Sequence, residues 1–253
     1  MCTLSFLAGT DGFSLAMNRD EQRTRPDALP PTARPCGTLS AWYPSEPGGG
    51  TWIGINSRGF ALALVNSYAH PHRLDARSRG HLIPKLLATD SLVSLEEDLA
   101  VAAPDRFNPF RLVAIDPGLR EVREFHWNGR NLARTDFPWR MAHWFSSAFD
   151  EARVVRARSE TAKGAASAPD AGTLDWARRL HSTHEPERGA CSICMHRPDA
   201  RTVSYTEITW RADKVQIYYQ GGSPCESKWD VVSPDHQACG PGSFFGPGRS
   251  APA

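Results

Sequence analysis

Cys2 stands directly behind Met1, at the head of a run, Cys2-Thr3-Leu4-Ser5-Phe6-Leu7, that reads as a strand. Removal of Met1 would leave a thiol and a free α-amine on one residue. An α-amine has a pKa of about 7.7–8, so near neutral pH much of it can accept a proton. A thiol beside such a base needs no histidine to become a nucleophile. The other reading of Cys2 is a small buried apolar residue near a strand start.

A second run, Phe13-Ser14-Leu15-Ala16-Met17, follows the turn Thr10-Asp11-Gly12 and leads into Asn18-Arg19-Asp20-Glu21. A tight Asp-Gly turn between apolar runs predicts a hairpin. The hairpin returns an amide, a guanidinium and two carboxylates to the neighbourhood of Cys2. A carboxylate can hold an ammonium, and an arginine favours a nearby thiolate. The alternative is a charged strand end feeding a solvated loop.

These elements belong to a chain of 253 residues, long enough for one large domain that buries about 70–75% of its unfolded surface. A net charge of +1 argues against electrostatic binding to nucleic acid or an acidic membrane. No apolar run approaches the ~20 residues of a membrane span. Asp11 and the Asn18–Glu21 cluster interrupt any leader-like apolar stretch, so no signal peptide is expected. We therefore expect a cytoplasmic protein with reduced thiols and a small-molecule substrate or ligand; the sequence sets no oligomeric state. Of the six cysteines, only Cys191-Ser192-Ile193-Cys194 has a short metal-like spacing. The segment 190–196 reads as a strand, which turns residues three apart to opposite faces, and a second Cys or His pair at matching spacing is missing, so no metal is expected.

Further along, Arg23 to Pro47 reads as a long Pro-rich loop of the kind that forms lids. Strands are expected at Thr51–Asn56 and Phe60–Asn66, the second buried on both faces. A His/Arg-rich loop covers Tyr68 to Arg79. Helices are expected at Gly80–Ala88 and Ser91–Ala103, strands at Phe110–Ile115, Arg120–Trp127 and Trp144–Ser146. Asp150–Lys163 and Thr173–His181 read as helices joined by a mobile link, Ala165–Asp170. Three strands close the block: Ala190–His196, Thr202–Trp210 and Val215–Tyr219. One domain over 1–220 and a flexible Gly/Pro-rich tail over 221–253 follow. The alternation of strand and helix blocks predicts an α+β protein of stacked layers.

Met1-Cys2-Thr3, Asn18-Arg19-Asp20-Glu21, Gly49-Gly50-Thr51-Trp52-Ile53-Gly54, Leu64-Val65-Asn66 and Arg77-Ser78-Arg79-Gly80 occur in that order. The ordered set resembles the NRDE family, also called the transport-and-Golgi-organisation protein 2 family. The block His184–Gly189, Ser192–Arg197 and Thr202-Val203-Ser204 resembles bacterial members. The resemblance implies an αββα four-layer sandwich of the N-terminal nucleophile (Ntn) hydrolase type, similar in layout to choloylglycine hydrolases and penicillin V acylases. It implies Cys2 as the nucleophile attacking a linear amide or related acyl bond, with Asp20 and Arg19 supporting it. Asn66, followed by Tyr68, resembles the asparagine that donates to the oxyanion. Arg188 falls near a late-strand arginine of those enzymes. Ser146-Ser147 stands where a second oxyanion asparagine is expected.

Asn18, Glu21, Trp52, Tyr68, His184 and Glu187 complete the expected substrate-binding set, with Trp42, Tyr43 and Trp52 as apolar lining or plain core. His184, Glu187 and Arg188 read equally as a salt-bridged strand start. No cofactor is expected for the hydrolase. The alternative function is a carrier of haem or an acyl-CoA-like ligand, connected through the eukaryotic branch of the family. There His70, His72, His184 or His196 would ligate iron, and Arg73, Arg77 and Arg79 would meet propionates or phosphates.

Overall fold

A computed structural model describes residues 2–68 and 72–226. Strands β1 (Cys2–Ala8) and β2 (Gly12–Gln22) form the expected hairpin, in a register that sets Cys2 opposite Arg19. They lie at the centre of a five-stranded antiparallel sheet with β10 (Ala142–Ser146), β11 (Ala200–Arg211) and β12 (Lys214–Gly221), ordered β10-β1-β2-β11-β12. A seven-stranded antiparallel sheet runs in chain order through β3 (Leu29–Cys36), β4 (Leu39–Ser45), β5 (Ile53–Asn56), β6 (Ala61–Asn66), β7 (Phe110–Asp116), β8 (Glu121–Trp127) and β9 (Leu132–Phe137).

Side-chain alternation divides each sheet between two layers. Cys2, Leu4, Phe6, Leu15 and Met17 face inward and meet Ile53, Ile55, Ala63 and Val113 of the other sheet. The outer face of the seven-stranded sheet (Leu62, Leu64, Leu112) is covered by α1 (Leu82–Leu86) and α2 (Leu92–Val101). On the other side α3 (Glu151–Ala165) and α4 (Leu174–Ser182) cover the five-stranded sheet through Ala162, Trp176 and Leu180. The result is the αββα four-layer sandwich. Sequence-visible caps start three helices: Ser91 Oγ accepts from Ser94 N, Asp150 from Arg153 N and Thr173 Oγ1 from Trp176 N. Gly59, at φ +79°, closes the β5–β6 turn against Trp210; a Cβ there would lie 2.4 Å from the indole.

Several expectations are corrected. The Arg23–Pro47 stretch is not one long loop but contains β3 and β4. β3 lies on the sheet edge, where Pro30, Pro31 and Pro35 cost no inner ladder bond, and Pro44 lies beyond the β4–β5 pairing. β9, a polar strand on the opposite edge, escaped notice because it lacks apolar alternation. The segment 190–196 is no strand. Its backbone bonds reach irregular partners, Cys194 N to Thr183 O (3.0 Å) and His196 N to Gly189 O (3.2 Å), and its pairing with β11 is confined to an isolated bridge between His196 and Arg201. The Ala165–Asp170 link is held by Ala168 N to Ala165 O (3.1 Å) and by the Arg179–Asp170 ion pair. Ordered structure also passes residue 220: Pro224–Glu226 is a 3-10 turn, and Ser223 Oγ donates to Thr202 O at 2.8 Å. The remainder of the expected tail, 227–253, lies outside the described residues.

Candidate active site

The β1–β2 hairpin carries Cys2 to the floor of a cleft of about 290 Å³ between the sheets, walled by Arg19, Trp52, Asn66, Arg77 and Arg79. A larger cavity of about 540 Å³ lies outside the sandwich between α3 and α4; no cysteine lines it.

Cys2 N donates to Ser146 Oγ at 3.1 Å across the β1–β10 pairing. Its thiol is pushed above the ordinary cysteine range, chiefly by burial. Asp20 pushes in the same direction, while Arg19 and a hydrogen bond from the Asp20 backbone N–H pull it down. A thiol so placed needs a base close at hand. Ser146, expected to stand in for a second oxyanion donor, instead faces the Cys2 nitrogen.

Alternation along β2 sorts the Asn18–Glu21 motif into two pairs. Arg19 turns into the cleft, its guanidinium 4.6 Å from the Trp52 ring and paired with Glu46 and with Glu21 (3.3 Å). Asn18 and Asp20 turn the other way, beneath the helices. Asn18 Nδ2 donates to His181 O (2.9 Å) and Ile193 O (3.0 Å), so this fully buried residue is a brace rather than the expected substrate contact. Asp20 Oδ2 pairs with Arg158 Nη1 at 3.1 Å, both side chains at most 1% exposed, and Asp20 Oδ1 accepts from Thr202 Oγ1 at 2.7 Å. The same Arg158 Nη1 donates to Thr3 Oγ1 at 3.0 Å, tying the residue after Cys2 to α3. Sequence reading missed Arg158. It occupies the buried stripe Val154-Arg158-Ala162, where helical spacing alone would place an apolar side chain.

Asn66 lines the cleft and donates from Nδ2 to Tyr68 Oη at 2.9 Å, leaving a second amide N–H. Tyr68 stacks beneath Arg79, whose guanidinium lies 5.9 Å from the ring, and Arg79 Nη1 donates to Pro109 O at 2.8 Å. Burial lowers the Arg79 pKa from its usual value, with the Tyr68 and Cys2 anionic forms acting in the opposite sense. Among the expected lining aromatics, Trp52 borders the cleft, Trp42 belongs to the inter-sheet core and Tyr43 faces α1 and α2.

Three expected residues lie elsewhere. Glu187 and Arg188 are exposed, on an irregular segment rather than a strand, and neither lines the cleft. Arg188 Nη2 lies 3.3 Å from His196 Nδ1, and His184 packs edge-on against His196 with ring centroids 5.1 Å apart. The histidines considered for haem do not form one set: His72 lines the cleft, His184 and His196 sit together outside it, and His70 is outside the described residues. Of the three arginines considered with them, Arg77 and Arg79 line the cleft. Arg73 pairs with Asp75 at 3.1 Å and is exposed.

Fold and site together define an αββα sandwich with a residue-2 cysteine at the base of an arginine-lined inter-sheet cleft. The model of the Transport and Golgi organisation 2 family matches residues 1–163, and the chain belongs to this family. The human Transport and Golgi organization protein 2 homolog is 38% identical over 113 residues, 40% of this chain and 38% of that protein. The mouse Transport and Golgi organization 2 homolog is 35% identical over 105 residues, again 40% and 38% of the two chains. The matched stretch thus spans less than half of these relatives' length. Among solved structures, penicillin V acylase from Agrobacterium tumefaciens is similar with a TM-score of 0.46 at 11% identity, over 87% of this chain and 86% of that one. A mutant of conjugated bile acid hydrolase from Clostridium perfringens gives 0.43 at 10% identity, over 89% and 95%. No helix among the described residues is long and apolar enough to cross a membrane.

Proposed function

We propose that the protein is an N-terminal-cysteine hydrolase acting on a small, non-peptide linear amide or related acyl bond, once Met1 has been removed. The observation that carries this reading is the setting of Cys2: side chain in the cleft, sulfur beneath the Asp20 N–H, nitrogen 3.1 Å from Ser146 Oγ. The freed α-amine takes the thiol proton, directly or through a water, and the thiolate attacks the acyl carbon. The free N–H of Asn66 and a backbone N–H meet the oxyanion, a contribution of about 3–4 kcal/mol per donor in other hydrolases. The protonated amine hands its proton to the leaving nitrogen as the carbon–nitrogen bond breaks. Water then attacks the thioester, releasing the acid and restoring the thiol.

The cleft favours a small substrate, since its volume lies at the lower edge of ordinary ligand pockets, about 300–1,000 Å³. Arg77 and Arg79 suit a substrate with an anionic group. Intact-mass measurement of the purified protein is expected to show loss of Met1. A thioester-forming acyl probe is expected to add one adduct, mapped to Cys2 and lost in Cys2→Ser. Met1 retained on labelled protein, or labelling that survives Cys2→Ser, would overturn the proposal.

A further inference from the structure

Four side chains that no step above uses meet outside the cleft: His184, Cys194, His196 and Cys225. One ligand atom from each lies within 4.8 Å of the others. His196 Nε2 stands 3.5 Å from Cys194 Sγ and 3.4 Å from Cys225 Sγ. Tetrahedral zinc, with bonds of about 2.3 Å to sulfur and about 2.0–2.1 Å to nitrogen, sets neighbouring ligand atoms about 3.4–3.8 Å apart. The cluster already approaches that spacing. His184 Nε2 is shut off from solvent and has no hydrogen-bond partner among the described residues. A shielded ring nitrogen on a residue of this cluster is costly unless something accepts its lone pair or its proton.

We infer that His184, Cys194, His196 and Cys225 form a Cys2His2 site for a structural zinc ion. Two thiolates balance the charge of a divalent cation, and soft sulfur with imidazole selects zinc over magnesium or calcium. Four protein ligands fill a tetrahedron and leave no position for substrate, so the site is structural rather than catalytic. Metal on His196 Nε2 moves the ring proton to Nδ1, so the exposed Arg188 guanidinium swings away from that nitrogen. Binding releases the two thiol protons to solvent. The ion would clamp the irregular segment 183–196 to the 3-10 turn at Pro224–Glu226. That clamp lies two hydrogen bonds from the candidate active site: Met195 N donates to Thr202 Oγ1 at 2.9 Å, and Thr202 Oγ1 donates to Asp20. The expectation of no metal rested on a strand that separated Cys191 from Cys194 and on the lack of a second Cys or His pair at matching spacing. Cys191 takes no part here.

The test uses the full chain, purified under reducing conditions without a metal-affinity step and incubated with zinc, then dialysed and measured by elemental mass spectrometry. About one zinc per chain is expected for a closed structural site. Cys194→Ser and Cys225→Ser are each expected to lose it, whereas Cys191→Ser keeps it. Should the two loss variants fail to fold, cobalt titration of the metal-free wild type decides instead. The spectrum expected is that of tetrahedral cobalt with thiolate charge-transfer absorption. A wild type that retains no zinc, a cobalt spectrum without thiolate bands, zinc unaffected by both substitutions, or a Cys194–Cys225 disulfide in the reduced preparation would each overturn the inference.

Discussion

Ser146 Oγ is the group that holds the Cys2 nitrogen, and its removal separates positioning from bulk structure. A hydroxyl accepting from this nitrogen holds an ammonium more strongly than a neutral amine, so it raises the amine pKa slightly while orienting the lone pair toward sulfur. Ser146→Ala is expected to slow Cys2 acylation about fivefold, the equivalent of one hydrogen bond of ~1 kcal/mol. The acid limb of its pH–rate profile should also move to lower pH. Stopped-flow labelling across pH 5–9 reads both effects; an unchanged limb with an unchanged rate would mean that Ser146 has no hold on the amine. The same profile tests the base itself. Burial pushes the Cys2 thiol up, so the reactive form depends on a neutral amine, and the wild-type rate should fall about tenfold per pH unit below the amine pKa.

Helix α3 reaches the site at two points, through Glu151, whose Oε2 accepts from Tyr68 N at 3.1 Å, and through Arg158. Arg158 is delivered from a buried helical stripe onto Asp20 and Thr3, so it fixes the ends of both β1 and β2. Arg158→Met leaves the Asp20 carboxylate buried with the Thr202 hydroxyl as its one side-chain hydrogen-bond partner among the described residues. Breaking a buried pair in this way costs about 3–5 kcal/mol, and adding Asp20→Asn should restore part of it. Urea unfolding of the two single variants and the double variant measures the coupling; simple additivity would refute a paired role. The elements flanking this pair show what the sequence made legible. The hairpin, the Ser91 and Thr173 caps and the buried strand β6 follow from local turn chemistry and periodicity. The period-two split of Asn18 and Asp20 from Arg19 and Glu21 was also present in the sequence, and it separates brace from cleft. Arg158 was not legible, because a charged residue at helical spacing reads as exposed unless its partner is known. β3 was hidden by its prolines. The gathering of His184 with Cys225 depends on a non-strand path through 190–196 that no local pattern specifies.

At the scale of the whole molecule, the layer between the five-stranded sheet and its helices sets a buried polar network beside the apolar cluster of Ala162, Trp176 and Leu180. Ser5 Oγ is shared by His143 Nδ1 and His181 Nε2, each at 2.8 Å, and His181 Nδ1 lies 3.1 Å from Asn18 Oδ1. Burial holds His181 neutral and pushes its pKa down to about 3, with His143 and Arg158 adding repulsion. Burial likewise lowers His143 to about 4. The unfolded chain binds protons on both rings below about pH 6.5, whereas the folded protein does not, so stability must fall as pH falls. The window runs from about pH 6.5 down through the folded values, with a limiting slope of about 1.4 kcal/mol per pH unit for each histidine. Above that window these two groups add no pH dependence. Urea unfolding at pH 7.5, 6.0 and 5.0 should show the decline. His181→Asn should be less stable at pH 7.5 yet lose less on acidification, because one titrating group is gone. Under the proposed mechanism the acid loss of Cys2 reactivity arises elsewhere, in the freed α-amine, a group whose ordinary pKa of about 7.7–8 lies above that of histidine. Labelling should therefore weaken first, while the fold still holds, and unfolding should follow only at lower pH. If the two losses coincide at every pH, the cleft has no titrating base of its own and the mechanism built on the Cys2 amine fails.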